Sequence, residues 1–289
     1  MIDSETPQGW WRFSALWAPQ TLAITGRGLT TFALGVWVVL VLAFLYLPIV
    51  IICLYAFNSS NVQSWPIQGF STKWFGPAIH NADMQQALWL SLKAAALATS
   101  VALVLGTAAS FGVHRFRFFG REAVSFLLVL PIALPGIITG MALNSYFTYW
   151  HFNFGLWTVV IAHATFCVVV VYNNVIARLR RVPGSLTEAS MDLGASGFQT
   201  FRYVTFPSIS TALISGGLLA FALSFDEVIV TTFTVGANNT LPTWIFSEIQ
   251  RGQELPQVNV VVFLVVLATI IPVALAQRLT RESGILRTE

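Results

Sequence analysis

Charged side chains are scarce in this chain of 289 residues. They make up 9% of the sequence, against roughly 25% in an ordinary soluble domain, while 56% of the residues are hydrophobic. A soluble protein hides its apolar residues in one core and covers that core with charge, so this composition excludes a soluble enzyme and requires lipid as the solvent. The formal net charge of +3 is too small to favour a nucleic-acid partner.

Residues that carry enzymatic chemistry are also few. Cys53 and Cys167 lie inside apolar runs, outside any C-x-x-C motif or His/Cys cluster, so the sequence predicts neither a disulfide framework nor a metal site. A P-loop requires Gly-Lys-Ser/Thr, and neither Lys73 nor Lys93 stands in such a motif. We therefore expect no ATP hydrolysis by this chain and no cofactor bound to it.

Long apolar runs dominate what the sequence does contain. A helix needs about 20 predominantly apolar residues to cross a hydrocarbon core roughly 30 Å thick. Because these runs are continuous rather than alternating, and lipid cannot satisfy backbone polar groups, we expect helices and not barrel strands. The sequence thus predicts an all-α membrane protein with six spans, at residues 32–57, 87–113, 123–149, 155–177, 210–233 and 258–277.

The arginines predict the orientation, since the cytoplasmic flanks of membrane spans carry an excess of basic residues. They precede the first span, separate the second from the third and the fourth from the fifth, and follow the sixth. Both termini are therefore predicted to be cytoplasmic. These arginines are Arg12, Arg27, Arg115, Arg117, Arg121, Arg178, Arg180, Arg181, Arg202, Arg278, Arg281 and Arg287.

The predicted domain organisation follows from these spans. Residues 1–31 form a cytoplasmic N-terminal segment, residues 32–277 the six-span domain with a cytoplasmic loop at 178–209, and residues 278–289 a cytoplasmic tail. The aromatic run from Gly9 to Trp17 fits a helix lying at the membrane surface, and equally a mobile tail with a few interface anchors.

The cytoplasmic loop between the fourth and fifth spans is long enough to need its own structure. Ser185 and Glu188 have the spacing of a capping box, which predicts a helix that starts at Leu186 and ends near Gly194. A second short helix is predicted to stop before Phe206-Pro207, because a proline disfavours helical geometry in the residue before it. The two helices carry more apolar side chains than a loop needs, which predicts a docking surface. Its members are Met191, Leu193, Phe198, Phe201 and Val204.

This loop resembles the EAA loop in the permease subunits of bacterial ABC importers. The family pattern is E-A-A, three residues, G, nine residues, I-x-L-P, and Glu188-Ala189-Ser190, Gly194 and Val204-Thr205-Phe206-Pro207 match its spacing. The resemblance implies the type I permease fold, a bacterial inner-membrane location and a coupling helix that docks onto a separate ATPase. The residues it assigns to coupling are Glu188, Ala189, Asp192, Gly194 and Pro207.

The resemblance also implies the other components of such an importer. These are an ATPase dimer, which binds ATP and Mg, a second non-identical permease subunit and an extracytoplasmic substrate-binding protein. In this arrangement ATP-driven closure of the ATPase dimer would move the coupling helix and thereby the membrane spans.

An acidic pair, Asp226 and Glu227, stands within the fifth predicted span, about 24 Å along the helix from its cytoplasmic end. A carboxylate at mid-membrane costs on the order of 2.5 to 3.5 kcal/mol on insertion scales and normally faces a cavity or a partner. Glu227 shares a small, polar helical stripe with Ser224 and Thr231, which fits a wet pathway or close packing. The pair could contact a cationic cargo, or bridge to a partner subunit or to Lys93.

The run Ser224-Phe225-Asp226-Glu227-Val228-Ile229-Val230, with Thr240-Leu241-Pro242 after it, resembles the spermidine/putrescine branch of the family. Polyamines are linear cations, which suit carboxylates and aromatic faces. Trp65 and Trp244 fit such aromatic faces, or interfacial anchors. The alternatives are a permease of the same fold for an iron complex, thiamine or an amino-acid-like compound, and an ion-coupled secondary transporter.

Two further polar or irregular features lie within the spans. Pro131 and Pro135 are predicted to kink the third span, and Gly136 and Gly140 permit a neighbouring helix to approach closely, as in a path-lining helix or in plain packing. His163 is interpreted as a helix-packing residue rather than a proton relay, because no acidic residue stands three or four positions away.

Overall fold

A computed structural model describes residues 11–116, 118–252 and 254–285. Within these ranges the secondary structure is helical, apart from one isolated bridge between Asn58 and Phe70, so the all-α prediction is confirmed. The helices are α1 (Trp11–Ala56), α2 (Phe75–His80), α3 (Ala82–Arg115), α4 (Arg121–Ala133), α5 (Gly136–Tyr149), α6 (Leu156–Leu179), α7 (Gly184–Asp192), α8 (Gly197–Thr200), α9 (Phe206–Asp226), α10 (Ile229–Thr234), α11 (Leu241–Arg251) and α12 (Leu255–Ile285), with a π-helical turn at Phe201–Thr205.

The chain forms two compact units, of which one joins the segment up to Trp74 with the segment from Asn259 onward. Within α1 the stretch Thr31–Ala56 is long and apolar enough to cross a membrane. The loop that follows it folds back on itself, since the Trp74 indole donates to the carbonyl of Asn58 at 3.0 Å. Trp11–Trp17 of the aromatic run belong to α1, while residues 1–10 lie outside the described residues, and the placement of the run at the membrane surface stays a prediction.

The other unit, Phe75–Val258, has a core of three helices, α3, α6 and α9. The central helix is α6, whose Cys167, Val171 and Val175 are fully buried. At Gly106 the absence of a side chain lets α3 approach α6: a Cβ there would lie 2.9 Å from the Val168 carbonyl oxygen. Such a short separation is why a larger residue would push the two helices apart.

The structure confirms some predicted spans as single helices and shows that others are broken. Four helices are long and apolar enough to cross a membrane, and α4 with α5 forms a fifth candidate that is bent by 102°. The third span is therefore broken at Leu134–Pro135, a sharper change than the predicted kink. The sixth predicted segment lies in α12, where the stretch Leu255–Ile270 is apolar but shorter. The count of six spans and the cytoplasmic termini stay predictions.

The loop between α6 and α9 corrects two expectations about helix ends. The capping box at Ser185 and Glu188 is wrong: α7 begins at Gly184, after Pro183, and no side chain caps it. Proline fixes an extended φ at this N-cap, so the chain enters the helix earlier. A capping box does form at the start of α8, between Ser196 and Gln199.

The predicted stop before Pro207 is also wrong, because the helix continues from Gly197 to Asp226. The π-helical turn explains this continuity. The amide of Phe206 donates to the carbonyl of Phe201, five residues back, and the widened turn places Pro207 in the first turn of α9, where a missing amide costs little.

Candidate functional site

The acidic pair lies at an interruption of the fifth predicted span. Helix α9 ends at Asp226, Glu227 is extended with φ −71° and ψ 119°, and the short helix α10 starts at Ile229. The continuous helix expected over 210–233 is therefore wrong at this point. The interruption is confined to residues 227–228, since the β-branched residues that follow are helical again in α10.

Glu227 stabilises the second half of the broken helix. Its carboxylate accepts a hydrogen bond from the amide of Val230 at 2.9 Å, and its carbonyl accepts one from the hydroxyl of Thr231 at 2.7 Å. The half-buried Glu227 side chain thus supplies an acceptor for the first turn of α10. One of the two predicted acidic path residues therefore has a structural partner.

Asp226 stands in a different environment from its neighbour. Its side chain is exposed, and within the described part of the chain its carboxylate makes no hydrogen bond or ion pair, with Lys93 or any other residue. The residue ends α9, where the last carbonyl groups lack helical partners and the helix dipole is negative. Both effects favour a cation at this position.

His163 of α6 holds the two sides of the interruption together. Its Nδ1 lies 2.8 Å from the Ser224 hydroxyl oxygen in α9, and its Nε2 lies 2.9 Å from the Thr231 hydroxyl oxygen in α10. All three residues are buried. The structure confirms the interpretation of His163 as a packing residue. It places Ser224 and Thr231, which the sequence analysis assigned to the substrate path, against this imidazole.

The interruption of the third predicted span lies beside the interruption of the fifth. Pro131 lies inside α4 and Pro135 caps α5, which packs on α10 through its two glycines. A Cβ on Gly140 would lie 2.6 Å from the Phe233 ring, and one on Gly136 would lie 3.6 Å from Ile229. The predicted close approach of a neighbouring helix is therefore confirmed.

A cavity of about 950 Å³ opens between the start of α3 and α11. It is lined by Asp83, Lys93, Trp244 and the ion pair Glu248–Arg251, whose charged atoms lie 3.1 Å apart. Sequence reasoning did not find this cavity, since it arises from segments far apart in the chain. Trp244 is 3% exposed, so this tryptophan is buried and is not an interfacial anchor.

The predicted coupling residues form an exposed surface on α7 and α8. Glu188, Ala189, Asp192 and Gly194 are exposed, as are the apolar residues Met191, Leu193, Phe198 and Phe201. The amide of Ala195 donates to the carbonyl of Ser190 and Gly194 has a left-handed φ of +88°, so the helix end predicted near Gly194 is confirmed. Pro207 lies apart from this surface, at the start of α9.

The α7–α8 pair is fixed to the rest of its unit. The hydroxyls of Ser190 and Thr200 lie 3.1 Å apart and join the two helices. Phe201, just after α8, makes an edge contact with Phe111 of α3 at 5.6 Å between ring centroids. A force on this surface would therefore reach α3 and α9 directly.

Comparison with known proteins places this geometry in a family. Residues 102–281 match the family described as "Binding-protein-dependent transport system inner membrane component". The putrescine transport system permease protein PotI of Escherichia coli is 38% identical over 231 residues, which are 77% of this chain and 81% of PotI. The spermidine/putrescine transport system permease protein PotC of Haemophilus influenzae is 32% identical over 246 residues, 84% of this chain and 95% of PotC.

Solved structures agree on the fold. A bacterial ABC transporter that imports the acidic polysaccharide alginate superposes with a TM-score of 0.67 at 14% identity, over 89% of this chain and 97% of that one. The MetNI methionine ABC transporter superposes with a TM-score of 0.57 at 19% identity, over 69% and 95%. The fold is that of an ABC importer permease. The chain is thus a multi-pass inner-membrane transport subunit and not an enzyme, and it belongs to the family of binding-protein-dependent transport system inner membrane components.

Proposed function

We propose that this chain forms part of the membrane passage for a linear polyamine cation, of the putrescine or spermidine type, in an ATP-driven importer. The observation that carries the proposal is the exposed carboxylate of Asp226 at the end of α9, which has no partner in the described part of the chain although it lies within a membrane span. Relatives named as putrescine and spermidine/putrescine permeases at 38% and 32% identity support this choice of cargo.

The chemistry of Asp226 suits an ammonium group. The carboxylate is an acceptor only, and the negative end of α9 adds to its field. A passing cation offsets the unfavourable free energy of a charge in the membrane, whereas an anionic solute would be repelled. Glu227, which caps α10, shapes the passage beside Asp226. Ser224 and Thr231 support it through His163.

The break of the third span belongs to the same passage in this proposal. Because α5 packs on α10 through Gly136 and Gly140, and the bend at Pro131 and Pro135 precedes it, a movement of α5 would displace the residues next to Asp226. Two interrupted helices in contact give the membrane domain a place to change shape without unfolding a continuous helix.

Partner subunits complete the proposed importer. The exposed surface of α7 and α8, with Glu188, Ala189, Asp192 and Gly194, would dock onto an ATPase dimer that binds ATP and Mg. A second, non-identical permease subunit would supply the other half of the passage, and an extracytoplasmic substrate-binding protein would deliver the cargo.

The test compares two substitutions at adjacent acidic residues, Asp226→Asn and Glu227→Gln. The first removes the free charge. We expect uptake of labelled putrescine by the assembled transporter to lose about 10-fold in efficiency, equivalent to about 1.4 kcal/mol, mainly through a higher KM. The second keeps an oxygen that accepts from Val230, so uptake should stay within about 3-fold of the unmodified transporter.

Competition identifies the cargo class in the same assay. Unlabelled spermidine should displace labelled putrescine, whereas thiamine, an iron complex or a neutral amino-acid-like compound should not. Equal losses in the two variants, or competition by one of these other solutes alone, would contradict the assignment of Asp226 to a polyamine passage.

A further inference from the structure

A polar groove of about 500 Å³ lies where the last turns of α6 face the first turns of α9. Arg178 of α6 and Arg181, just after the end of α6, line it, together with amide side chains from α6 and hydroxyl side chains from α9. The proposed passage and the coupling surface do not use this groove. Its polar lining residues are Asn173, Asn174, Arg178, Arg181, Thr211 and Ser215.

Arg178 is held in place at the rim of the groove. Its Nε donates to the carbonyl of Ser208, at the start of α9, over 2.8 Å. This bond uses one of the five N–H donors of the guanidinium and leaves the four terminal ones. An arginine already fixed in this way loses less conformational entropy when it binds a ligand.

The other donors in the groove lack partners. The side chains of Asn173, Arg181, Thr211 and Ser215 make no hydrogen bond or ion pair with any part of the chain that the structure describes. The side-chain amide of Asn174, in contrast, donates a hydrogen bond to the carbonyl of Val170 at 2.9 Å. These exposed donors converge on one groove, with two positive charges among them, which favours an acceptor that carries negative charge.

The described residues that line this groove include no carboxylate, and the arginine pattern predicts that the groove faces the cytoplasmic boundary of the membrane. A guanidinium group matches the oxygens of a phosphate with two parallel hydrogen bonds. Basic pockets between membrane helices on the cytoplasmic side suit the headgroups of anionic lipids. The two arginines would repel a polyamine, so the groove is separate from the cargo site.

We propose that this groove binds a phosphate group, supplied either by the headgroup of an anionic phospholipid or by a soluble phosphate compound. The phosphate oxygens accept from Arg178 and Arg181 on one side and from the hydroxyls of Thr211 and Ser215 on the other. The ligand joins α6 to α9 just above the coupling surface and stabilises their contact.

The experiment measures binding through the thermal unfolding midpoint of the purified transporter that contains the full chain. Separate titrations use phosphatidylglycerol, phosphatidylcholine and inorganic phosphate. A ligand that binds the folded state raises the midpoint as its concentration increases. In the double variant Arg178→Gln/Arg181→Gln the apparent affinity should fall roughly 30-fold, and in each single variant about 5-fold.

Arg180→Gln is the matched control, since it removes the same charge one residue away, from an exposed side chain outside the groove. Its affinity should stay unchanged. A second variant, Thr211→Ala/Ser215→Ala, removes two donors without a change of charge and should also weaken binding, so the test does not depend on assembly of the arginine variants.

The titrations separate the two sources of phosphate. A shift with phosphatidylglycerol, but with neither phosphatidylcholine nor inorganic phosphate, identifies a lipid headgroup. A shift with inorganic phosphate identifies a soluble ligand. If no phosphate compound shifts the midpoint, or if Arg180→Gln loses as much affinity as the groove variants, the proposal is overturned. None of these readings depends on polyamine uptake.

Discussion

Asp226 and Glu227 are neighbours in the sequence, but their backbone conformations place the two carboxylates in different environments. Asp226 is the last residue of a helix and its exposed side chain has no partner among the described residues, whereas Glu227 is extended and accepts from the amide of Val230. A charge in a membrane span is expensive unless it has a partner or a function. The free carboxylate is therefore the one whose charge we expect to matter for transport.

Gly194 provides a second prediction at the scale of one residue. Its φ of +88° is unfavourable for residues with a Cβ, by roughly 1 to 2 kcal/mol, and most so for β-branched ones. Apart from its two chain neighbours, no described residue has an atom within 4 Å of the position that a Cβ would take, so the backbone alone makes a substitution unfavourable. We expect Gly194→Val to distort the end of α7 and to reduce ATP-driven uptake at least 10-fold, while the protein still inserts into the membrane.

Gly194→Asn is the control for this prediction, because asparagine tolerates the left-handed region. It should keep most of the uptake. The measurement is the ratio of solute imported to ATP hydrolysed, with membrane insertion followed by an antibody. Unchanged coupling in the valine variant would contradict a role for the shape of this helix end.

At the scale of elements, the short helix α10 after the break of the fifth span is held by contacts from α6 and α5. His163 contacts α9 and α10, and Asn144 of α5 donates to the carbonyl of Phe233 in α10. The short helix α10 is thus fixed from two sides, although it has only six residues. A helix of this length is unstable alone, so its position depends on these neighbours.

We therefore predict that His163→Leu destabilises the membrane domain by about 2 kcal/mol. The substitution removes the imidazole from the buried hydroxyls of Ser224 and Thr231. Thr231 keeps its bond to the carbonyl of Glu227, whereas Ser224 loses its partner, and a buried polar group without a partner costs about 1 to 3 kcal/mol. Thermal unfolding in detergent would measure the loss. Thr165→Val is the control, since its hydroxyl bonds only to the carbonyl of Ala162 in the same helix, and its effect should be less than half as large.

The sequence predicts the long elements better than their interruptions. Continuous apolar runs are enough to place α1, α3 and α6, because burial in lipid or in a helix core needs the same residues throughout. The breaks at Pro135 and Glu227 do not change that apolar pattern, so a single span and a broken one look alike in the sequence. Pro131 and Pro135 predicted a kink in the third span but not its size, and the β-branched run after Glu227 is itself helical in α10.

The sequence patterns that mark the start and end of a helix are also ambiguous. Ser185 and Ser196 are each followed by a residue able to complete a capping box, and the entry of the chain from Pro183 decides that only the second one forms. The proline in Phe206-Pro207 predicts the end of a helix, but the π-helical turn before it places this proline in the first turn of α9. Gly194 was predictable because only a few residues tolerate its backbone conformation.

At the scale of the whole molecule, the question is where the energy for transport comes from. The sequence contains no P-loop, while the protein belongs to a family of subunits of binding-protein-dependent transport systems and has the fold of an ABC importer permease. We expect such a subunit to receive mechanical work from a separate ATPase. The exposed apolar residues on and beside α7 and α8, among them Leu193 at 89% and Phe198 at 70% exposure, are the surface that we propose for it.

This division of labour predicts how uptake responds to its two possible energy sources. In vesicles that hold the complete transporter, labelled putrescine uptake should require ATP on the side of α7 and should persist when a protonophore collapses the ion gradient. The chain without its ATPase should transport nothing above background, because α7 then has no partner to move it. Gradient-driven uptake by the isolated chain would instead identify an ion-coupled carrier. In that case the exposed surface around Glu188 would have no role in energy transfer, and the Gly194→Val variant would transport as well as the unmodified chain.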